Sequence, residues 1–373
     1  MAAFRDAVRK LHEKGTFQAD ILATKEGKKL LSETANTYID AIGSSITHET
    51  PGEIKYALEH NAFQFSGFKS YHSLREAGLY LTNEDGTIKP FEQFLNDVKK
   101  VNEQYNRNYL RAEYNHAVAS AQMAYKWNDI KADGDDYNLQ YRTAGDDRVR
   151  PEHAALHGIT LPPSDPFWKE YYPPNSWNCR CQAVQVNKDK YPETDRREVE
   201  RKSQGVFDNG KSDRIFRNNV GETLEIFPKK HPYYKTAPED KEIVEKTAQR
   251  AETKHIKELA RKTVQGTTLT HPKFKGDIKV SRNSIDEWTN QPHVHYAEKN
   301  RMILYIGEIL KKSTYIGYKK DNSGKPGTKY VHIFETSILG DKTWIVVKEY
   351  QDGNIILYSI SDSPNILKGI ERK

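Results

Sequence analysis

A chain of 373 residues with 36% hydrophobic and 29% charged residues has a large surface for its core, which points to several small units rather than one big globule. Net charge is +6 and uneven: from Thr270 onward 17 Lys and Arg face 12 Asp and Glu, an excess that favours an acidic partner such as nucleic acid. No apolar run approaches the ~18 residues of a membrane span, the first residues lack the apolar core of a secretory signal, and two cysteines do not make a disulfide-built secreted protein.

Residues 1–50 read as helix, with Phe4, Val8 and Leu11 on one face and Leu30, Leu31, Thr34 and Tyr38 continuing the period. Pro51-Gly52 breaks it, a further helix is expected over Ile54–Ala62, and Asn83-Glu84-Asp85-Gly86 marks a turn. Pro90 then opens the longest periodic stretch, Phe91–Trp127, whose 37 residues would span ~55 Å as one unbroken helix. Phe94, Val98, Val101 and Tyr105 share a face that Leu110, Tyr114, Ala117, Ala121 and Ala124 extend, and His116 reads as a helical residue rather than a ligand.

The stretch Tyr141–Val184 holds both cysteines, Cys179 and Cys181, and two histidines, His153 and His157, at i, i+4 spacing. Tyr137–Thr143 alternates like a short strand. Pro151 places both histidines at the start of a short helix that stops at Gly158, and Pro162, Pro163, Pro166, Pro173 and Pro174 rule out regular structure up to Trp177. So long a loop needs an ordering device. Two imidazoles one helical turn apart and two thiols in a C-x-C turn form a Cys2His2 set suited to a structural Zn²⁺, which would staple the loop to the helix. The competing reading is packed thiols and surface imidazoles. Asp147 could stand in for His157, and His153 is preferred if one histidine binds.

The residues Arg142-Thr143, Asp146, Val149-Arg150-Pro151, His153, Leu156, Gly158, Phe167-Trp168, Pro173-Pro174-Asn175, Trp177 and Cys179-Arg180-Cys181 resemble the Mu-F-like minor head proteins of tailed phages, as does the helix from Tyr109 to Trp127. The resemblance spans roughly residues 55–186. It implies a head-morphogenesis protein acting near the portal, with portal or capsid proteins as partners, located in the virion and in the host cytoplasm during assembly. Many relatives carry a histidine just before the C-x-C, where this chain has Asn175-Ser176-Trp177.

Residues 187–238 are polar and loop-rich, with one hairpin-like piece at Glu222–Phe227, and Glu239–Val264 reads as a helix. Beyond it, a strand at Ile278–Val280, a capping box at Ser284–Glu287, a helix over Tyr296–Lys311 and strands at Tyr315–Lys319, Tyr330–Thr336, Lys342–Tyr350 and Asn354–Ile360 predict a small α+β unit with an antiparallel meander. Asp352-Gly353 is its strongest hairpin signal. The chain thus reads as multi-domain and mainly α-helical at its N-terminal side: a helical region over 1–135, a His/Cys knot over 136–190, a linker and spacer helix over 191–266, and an α+β domain over 267–373.

In that last region Ser281-Arg282, Ser284-Ile285, His293, Glu308-Ile309-Leu310, Tyr330-Val331-His332 and Tyr358-Ser359-Ile360 resemble the phage nuclease domains grouped with barnase, EndoU, colicin and RelE. The resemblance implies metal-independent RNA cleavage, with an RNA substrate and an immunity protein as partners. Such chemistry needs a base for the 2′-OH, an acid for the leaving 5′-oxygen and cations for the phosphorane. His293, His295 and His332 suit the proton tasks, and Arg282, Lys299, Lys319 and Tyr358 suit the charge. His295, just before a helix, is preferred over His293. The alternative is a purely structural virion protein whose basic C-terminal region binds nucleic acid without cutting it.

Overall fold

The computed structural model describes residues 2–45, 51–207, 213–321 and 327–371. The chain divides into two units, Met1–Gln249 and Arg250–Lys373. No helix among the described residues is long and apolar enough to cross a membrane.

The first unit is built from helices α1 (Ala2–Lys14), α2 (Lys25–Ser45), α3 (Gly52–Gly78), α4 (Phe91–Asp97), α5 (Lys99–Glu103) and α6 (Leu110–Asp133). The apolar stripes expected of α1 and α2 are buried: Phe4, Val8 and Leu11 on α1, and Leu30, Leu31 and Tyr38 on α2. The helix expected over Ile54–Ala62 is longer than its polar start suggested, because α3 runs on through the buried Phe63, Phe65, Phe68, Tyr71 and Leu74.

The single helix expected over Phe91–Trp127 is instead interrupted twice. Val98 leaves helical geometry at φ −82°, ψ 1°, and residues Gln104–Tyr109 form a π-helical turn. The wider turn shifts the helical register, burying Tyr105 while Tyr109 remains exposed, before α6 resumes with Ala117, Ala121 and Ala124 inward.

After α6 the chain forms a small three-stranded sheet of β1 (Asn138–Arg142), β2 (Thr160–Leu161) and β3 (Gln182–Val186), ordered β2-β1-β3 and antiparallel throughout. Between the strands lie two short helices, α7 (Pro151–Leu156) and α8 (Phe167–Tyr171). Proline excludes long elements here but not a single turn, so α8 fits between Pro166 and Pro173 and buries Phe167 and Trp168. α9 (Arg196–Ser203) and α10 (Val220–Thr223) follow. The hairpin-like piece expected at Glu222–Phe227 is absent: α10 ends at a left-handed Leu224 (φ 54°), and Ile226 and Phe227 are buried as an irregular plug. Asn61 of α3 holds this plug, donating to the Phe227 carbonyl at 3.0 Å and accepting from its N–H at 2.8 Å.

Helix α11 (Pro238–Thr263) supplies Val244 and Ala248 to the first unit and Ile256 and Ala260 to the second. Its close approach to α3 requires Gly67, where a Cβ would stand 3.1 Å from Ala248 Cβ.

The second unit has strands β4 (Thr268–His271) and β5 (Phe274–Lys279), helices α12 (Arg282–Asn290), α13 (Tyr296–Met302) and α14 (Ile306–Lys312), and strands β6 (Thr314–Lys320), β7 (Thr328–Ile338), β8 (Asp341–Tyr350) and β9 (Ile355–Ser361). The six strands run β4-β5-β9-β8-β7-β6. The expected antiparallel meander is present as β6–β9, but the sheet is mixed, because β5 enters alongside β9 in parallel register. The capping box lies three residues earlier than expected. Ser281 is the N-cap, and its side chain and that of Ser284 satisfy each other's backbone N–H. The helix expected over Tyr296–Lys311 is divided by a 3-10 turn at Ile303–Tyr305.

One sheet face carries Phe334, Ile338, Ile345, Val347 and Leu357 in a core with Trp288, Ile303, Ile306 and Leu310 from the helices. The opposite face gathers Val331, Ile333, Trp344 and Val346 beneath Ile366, Leu367 and Ile370.

Candidate functional site

The pairing of β1 with β3 sets the geometry of the knot. Tyr141 opposes Ala183 and Arg142 opposes Gln182, so Cys181, one residue ahead of β3, arrives beside Tyr141. Two arginines then pin the loops. Arg180, between the cysteines, donates two hydrogen bonds to Asp146 at 2.6 and 2.7 Å. The partnership holds the Asp146 carboxyl well below the usual carboxylate range. Arg150, just ahead of α7, donates to Ser176 Oγ at 2.6 Å and to the Trp177 carbonyl at 3.1 Å. The loop before α7 and the C-x-C turn are thereby held together on both sides of His153.

His153 Nδ1 lies 3.2 Å from Cys181 Sγ and 3.6 Å from Cys179 Sγ, and the three ligand atoms all fall within 4.8 Å of one another. Tetrahedral zinc sets its nitrogen and sulfur ligands about 3.5 Å apart and its two sulfurs about 3.8 Å apart, so the arrangement is already near ligand geometry. All three residues are buried and both cysteines are free thiols. A hydrogen bond with the Cys181 thiol, helped by His153 and against the cost of burial, pushes the Cys179 thiol below its usual range. The same bond, burial and the neighbouring charge push Cys181 up. A cation bound between the sulfurs would favour the deprotonated thiols that metal ligation needs. The donor set could hold a soft or borderline metal ion.

His157 is not part of this group. It is the C-cap of α7, and its Nδ1 accepts from the Thr143 N–H at 3.2 Å while lying 2.9 Å from Thr143 Oγ1. Helical i, i+4 spacing fails here because α7 ends at Leu156 and the backbone turns away at His157 (ψ 132°). Asp147 is exposed and outside the cluster. The residue that sequence reasoning missed is Tyr141, whose hydroxyl hydrogen-bonds Cys181 and donates to Asn175 Oδ1 at 3.0 Å. Its signal was strand alternation, which puts Tyr141 on the inner face of β1. His116 is buried on α6 against the Ile226 carbonyl at 3.1 Å and is not one of the three clustered ligand candidates.

In the second unit the catalytic candidates are dispersed. His293 and His295 lie together with ring centroids 6.0 Å apart. His293 Nε2 is 2.8 Å from Thr343 Oγ1, and His295 Nε2 is 2.7 Å from Asp341 Oδ2 at the start of β8. His332 sits on the helix-side face between Tyr315 OH (3.0 Å) and Glu349 Oε2 (3.0 Å). It pairs across the sheet with Val347, six residues beyond Asp341, which is about 20 Å along the strand. Lys319 and Tyr358 belong to the opposite face, where Lys319 Nζ donates to the carbonyls of Ile366 (2.6 Å) and Lys368 (3.2 Å). Arg282 is exposed at the start of α12. Lys299 is buried, its pKa pushed down to about 7 by burial, and its ammonium caps the end of α12 through the carbonyls of Trp288 and Gln291, both at 2.6 Å. Of the three candidate histidines, His293 and His295 lie side by side and His332 is set apart from them.

Fold and site define a multi-unit protein in which a helical scaffold carries a closed, metal-capable knot. Residues 86–184 match the Phage Mu protein F like protein family, and residues 247–358 match the large polyvalent protein-associated domain 3. The first match ends just past Cys181, so it contains the whole knot, and this segment is Mu F-like. The chain is 52% identical over 44 residues to protein F of Escherichia phage Mu, described as a capsid assembly protein, covering 12% of this chain and 10% of that one. It is 28% identical over 151 residues to the Mu-like prophage FluMu F protein of Haemophilus influenzae, covering 40% of this chain and 35% of that one. The chain thus spans well under half the length of these relatives. No solved structure matches.

Proposed function

We propose that this protein serves in head morphogenesis of a tailed phage, as a minor component of the assembling capsid placed near the portal, with its knot stapled by a structural Zn²⁺. The observation that carries this reading is the coincidence of the Mu F-like segment with the arginine-pinned His153–Cys179–Cys181 cluster. Three protein ligands leave a fourth tetrahedral position for a water or a further group, and the burial of all three favours a structural role for the ion. Its partners would be portal and capsid proteins, and its place the virion and the host cytoplasm during assembly.

Mass spectrometry of purified particles and proheads tests the assembly role: the protein should be present at low copy, and its absence from both would remove the reading. Elemental analysis of the purified full chain tests the metal. One zinc per chain is expected, lost in a Cys179→Ser/Cys181→Ser variant and retained in His157→Ala.

A second reading, metal-independent RNA cleavage by residues 267–373, is favoured by one observation: the His293–His295 pair beside Asp341 and Asp362. Under it an RNA substrate and an immunity protein join the partners, and the catalytic work falls on this pair, not on His332, Lys319, Arg282 or Tyr358. Incubation of the full chain with RNA in EDTA should then give cleavage that His295→Ala abolishes and His332→Ala leaves intact. Absence of cleavage leaves the structural alternative, with the basic surface binding nucleic acid without cutting it.

A further inference from the structure

The sheet face of the second unit that lies away from the helices carries a cleft of ≈ 790 Å³. Its size falls within the few hundred to about 1,000 Å³ of small-ligand pockets. Val331 and Val346 line its apolar part, β6 supplies Lys319 and Lys320, and the segment 363–371 forms one wall. That wall is held closely: Tyr318 N–H and carbonyl pair with Glu371 at 3.2 and 2.8 Å, and a Cβ on Gly317 (φ 144°) would stand 2.2 Å from the Glu371 carbonyl oxygen.

The charges around the cleft are unequal in an informative way. Each lining carboxylate is already engaged. Asp321 lies 3.4 Å from the Lys348 ammonium. Asp362 accepts from the Val294 N–H at 2.8 Å, and Glu371 is hydrogen-bonded by Tyr318. Of these contacts the Asp321–Lys348 pair alone neutralises charge, and three lining ammonium groups likewise have no ion pair. Lys319 Nζ meets only the neutral carbonyls of Ile366 and Lys368, and Lys320 and Lys368 make no ion pair among the described residues. Four lysines against three carboxylates leave the cleft lining with a net positive charge of one.

An aromatic ring stands beside it. The pairing of β8 with β9 shifts register between Val346, opposite Ser359, and Val347, opposite Leu357, so Tyr358 is bulged out of the ladder. Bulges re-aim side chains, often next to functional sites. Here the bulge turns Tyr358 to the cleft face, where the Lys348 ammonium lies 4.1 Å from its ring centroid and the ring remains half-buried.

We propose that this cleft binds an organic phosphate, its phosphate taken by Lys319 and Lys368 and a flat ring lying against Tyr358. Ammonium groups suit a phosphate as point charges. The aromatic face adds affinity for a planar group without selecting one base. None of His293, His295 and His332 lines the cleft, but Asp362, 4.0 Å from His293 Nδ1, does, so the cleft borders the histidine pair.

Isothermal titration of the full chain at low salt, with inorganic phosphate and with a 5′-mononucleotide, is the test. Saturable binding of the mononucleotide, tighter than that of phosphate, is expected. Lys368→Glu should weaken both ligands by at least about tenfold, the effect of one charge-assisted contact of ~1.4 kcal/mol. Tyr358→Ala should weaken the mononucleotide alone, and Lys342→Ala, whose ammonium pairs with Glu335 instead, should change neither. Because Lys319→Met removes a bond that holds the segment 363–371, Lys368→Glu is the deciding variant, with its unfolding curve as the control. No heat from either ligand, or binding indifferent to both Lys368→Glu and Tyr358→Ala, overturns the proposal.

Discussion

Replacing Lys69 by Met should destabilise the first unit far more than the loss of one lysine on a helix usually does. Lys69 on α3 and Glu113 on α6 form an ion pair whose side chains are 1% and 4% exposed. Tyr38 on α2, also fully buried, donates to the same Glu113 oxygen at 2.6 Å. Burial lowers the Lys69 pKa and raises that of Tyr38, with the Glu113 charge next in importance for both. At such burial the relevant scale is not the 0–1 kcal/mol of surface pairs. It is the ~3–5 kcal/mol that follows removal of one partner and abandonment of the other charge in the interior. Lys69→Met should fall in that range. The triple variant Lys69→Met/Glu113→Leu/Tyr38→Phe, which removes the whole polar group, should lie within ~1–2 kcal/mol of the parent. Two units give overlapping unfolding transitions, so hydrogen exchange of peptides from α2, α3 and α6 is the suitable measurement, with a loss of protection of about two to four orders of magnitude in the single variant. A Lys69→Met protein within 1 kcal/mol of the parent, or a triple variant as weak as the single one, would refute the argument that an orphaned carboxylate is the cost.

Gly221→Ala should destabilise by at least ~1–3 kcal/mol in a thermal melt, because its Cβ would stand 2.1 Å from Trp127 Cβ. Gly43→Ala, in the last turn of α2 with nothing within 4 Å of the new Cβ, should raise stability by about 0.5–1 kcal/mol. Arg180→Ala should leave the helical scaffold intact and speed hydrogen exchange in residues 143–150, since both hydrogen bonds to Asp146 go. In acid the first unit should weaken early. Burial lowers the His116 pKa from 6.5 to about 4 and that of His231 to about 3. Their contribution is full above pH 6.5 and is lost as pH falls from 6.5 towards those values; at ~1.4 kcal/mol per unit the effect of His116 alone is on the order of 3 kcal/mol. Urea midpoints measured from pH 7 to pH 4 should fall in the parent and fall less in His116→Gln.

Where periodicity and burial agree, the sequence was readable: the stripes of α1 and α2 and the β6–β9 meander, with Asp352-Gly353 in the turn between β8 and β9, all stand where residue patterns place them. The errors share a cause, which is that local pattern does not encode long-range closure. The break at Val98 and the π-helical turn at Gln104–Tyr109 preserve apolar spacing on both sides, so the sequence reads as one helix while the register shifts beneath it. The parallel pairing of β5 with β9 joins residues some 77 positions apart, Ile278 with Ile355, and no nearby residue signals it. Glu222–Phe227 looked like a hairpin because its apolar residues alternate, but they are buried by Asn61 and α6 rather than by a strand partner.

The candidate site obeyed the same division. Cys179, Cys181 and His153 were recoverable because their residue types limit what they can do once buried. A thiol pair and an imidazole converging without solvent either share a proton or bind a cation, and here the geometry serves both. His157 was misjudged because i, i+4 spacing brings two side chains to one face only while the helix lasts, and α7 ends one residue too soon. The nuclease candidates were chosen by chemistry without distances. Once β7 and β8 are aligned, His332 is set about 20 Å along the strand from the His295 partner Asp341 and cannot share a phosphate with it. Residue chemistry nominates groups, but strand register decides which of them meet. In this chain the β1–β3 register brings Cys181 beside Tyr141, the β7–β8 register sets His332 apart from Asp341, and the bulge in β9 places Tyr358 with Lys319 at a cleft on the other sheet face.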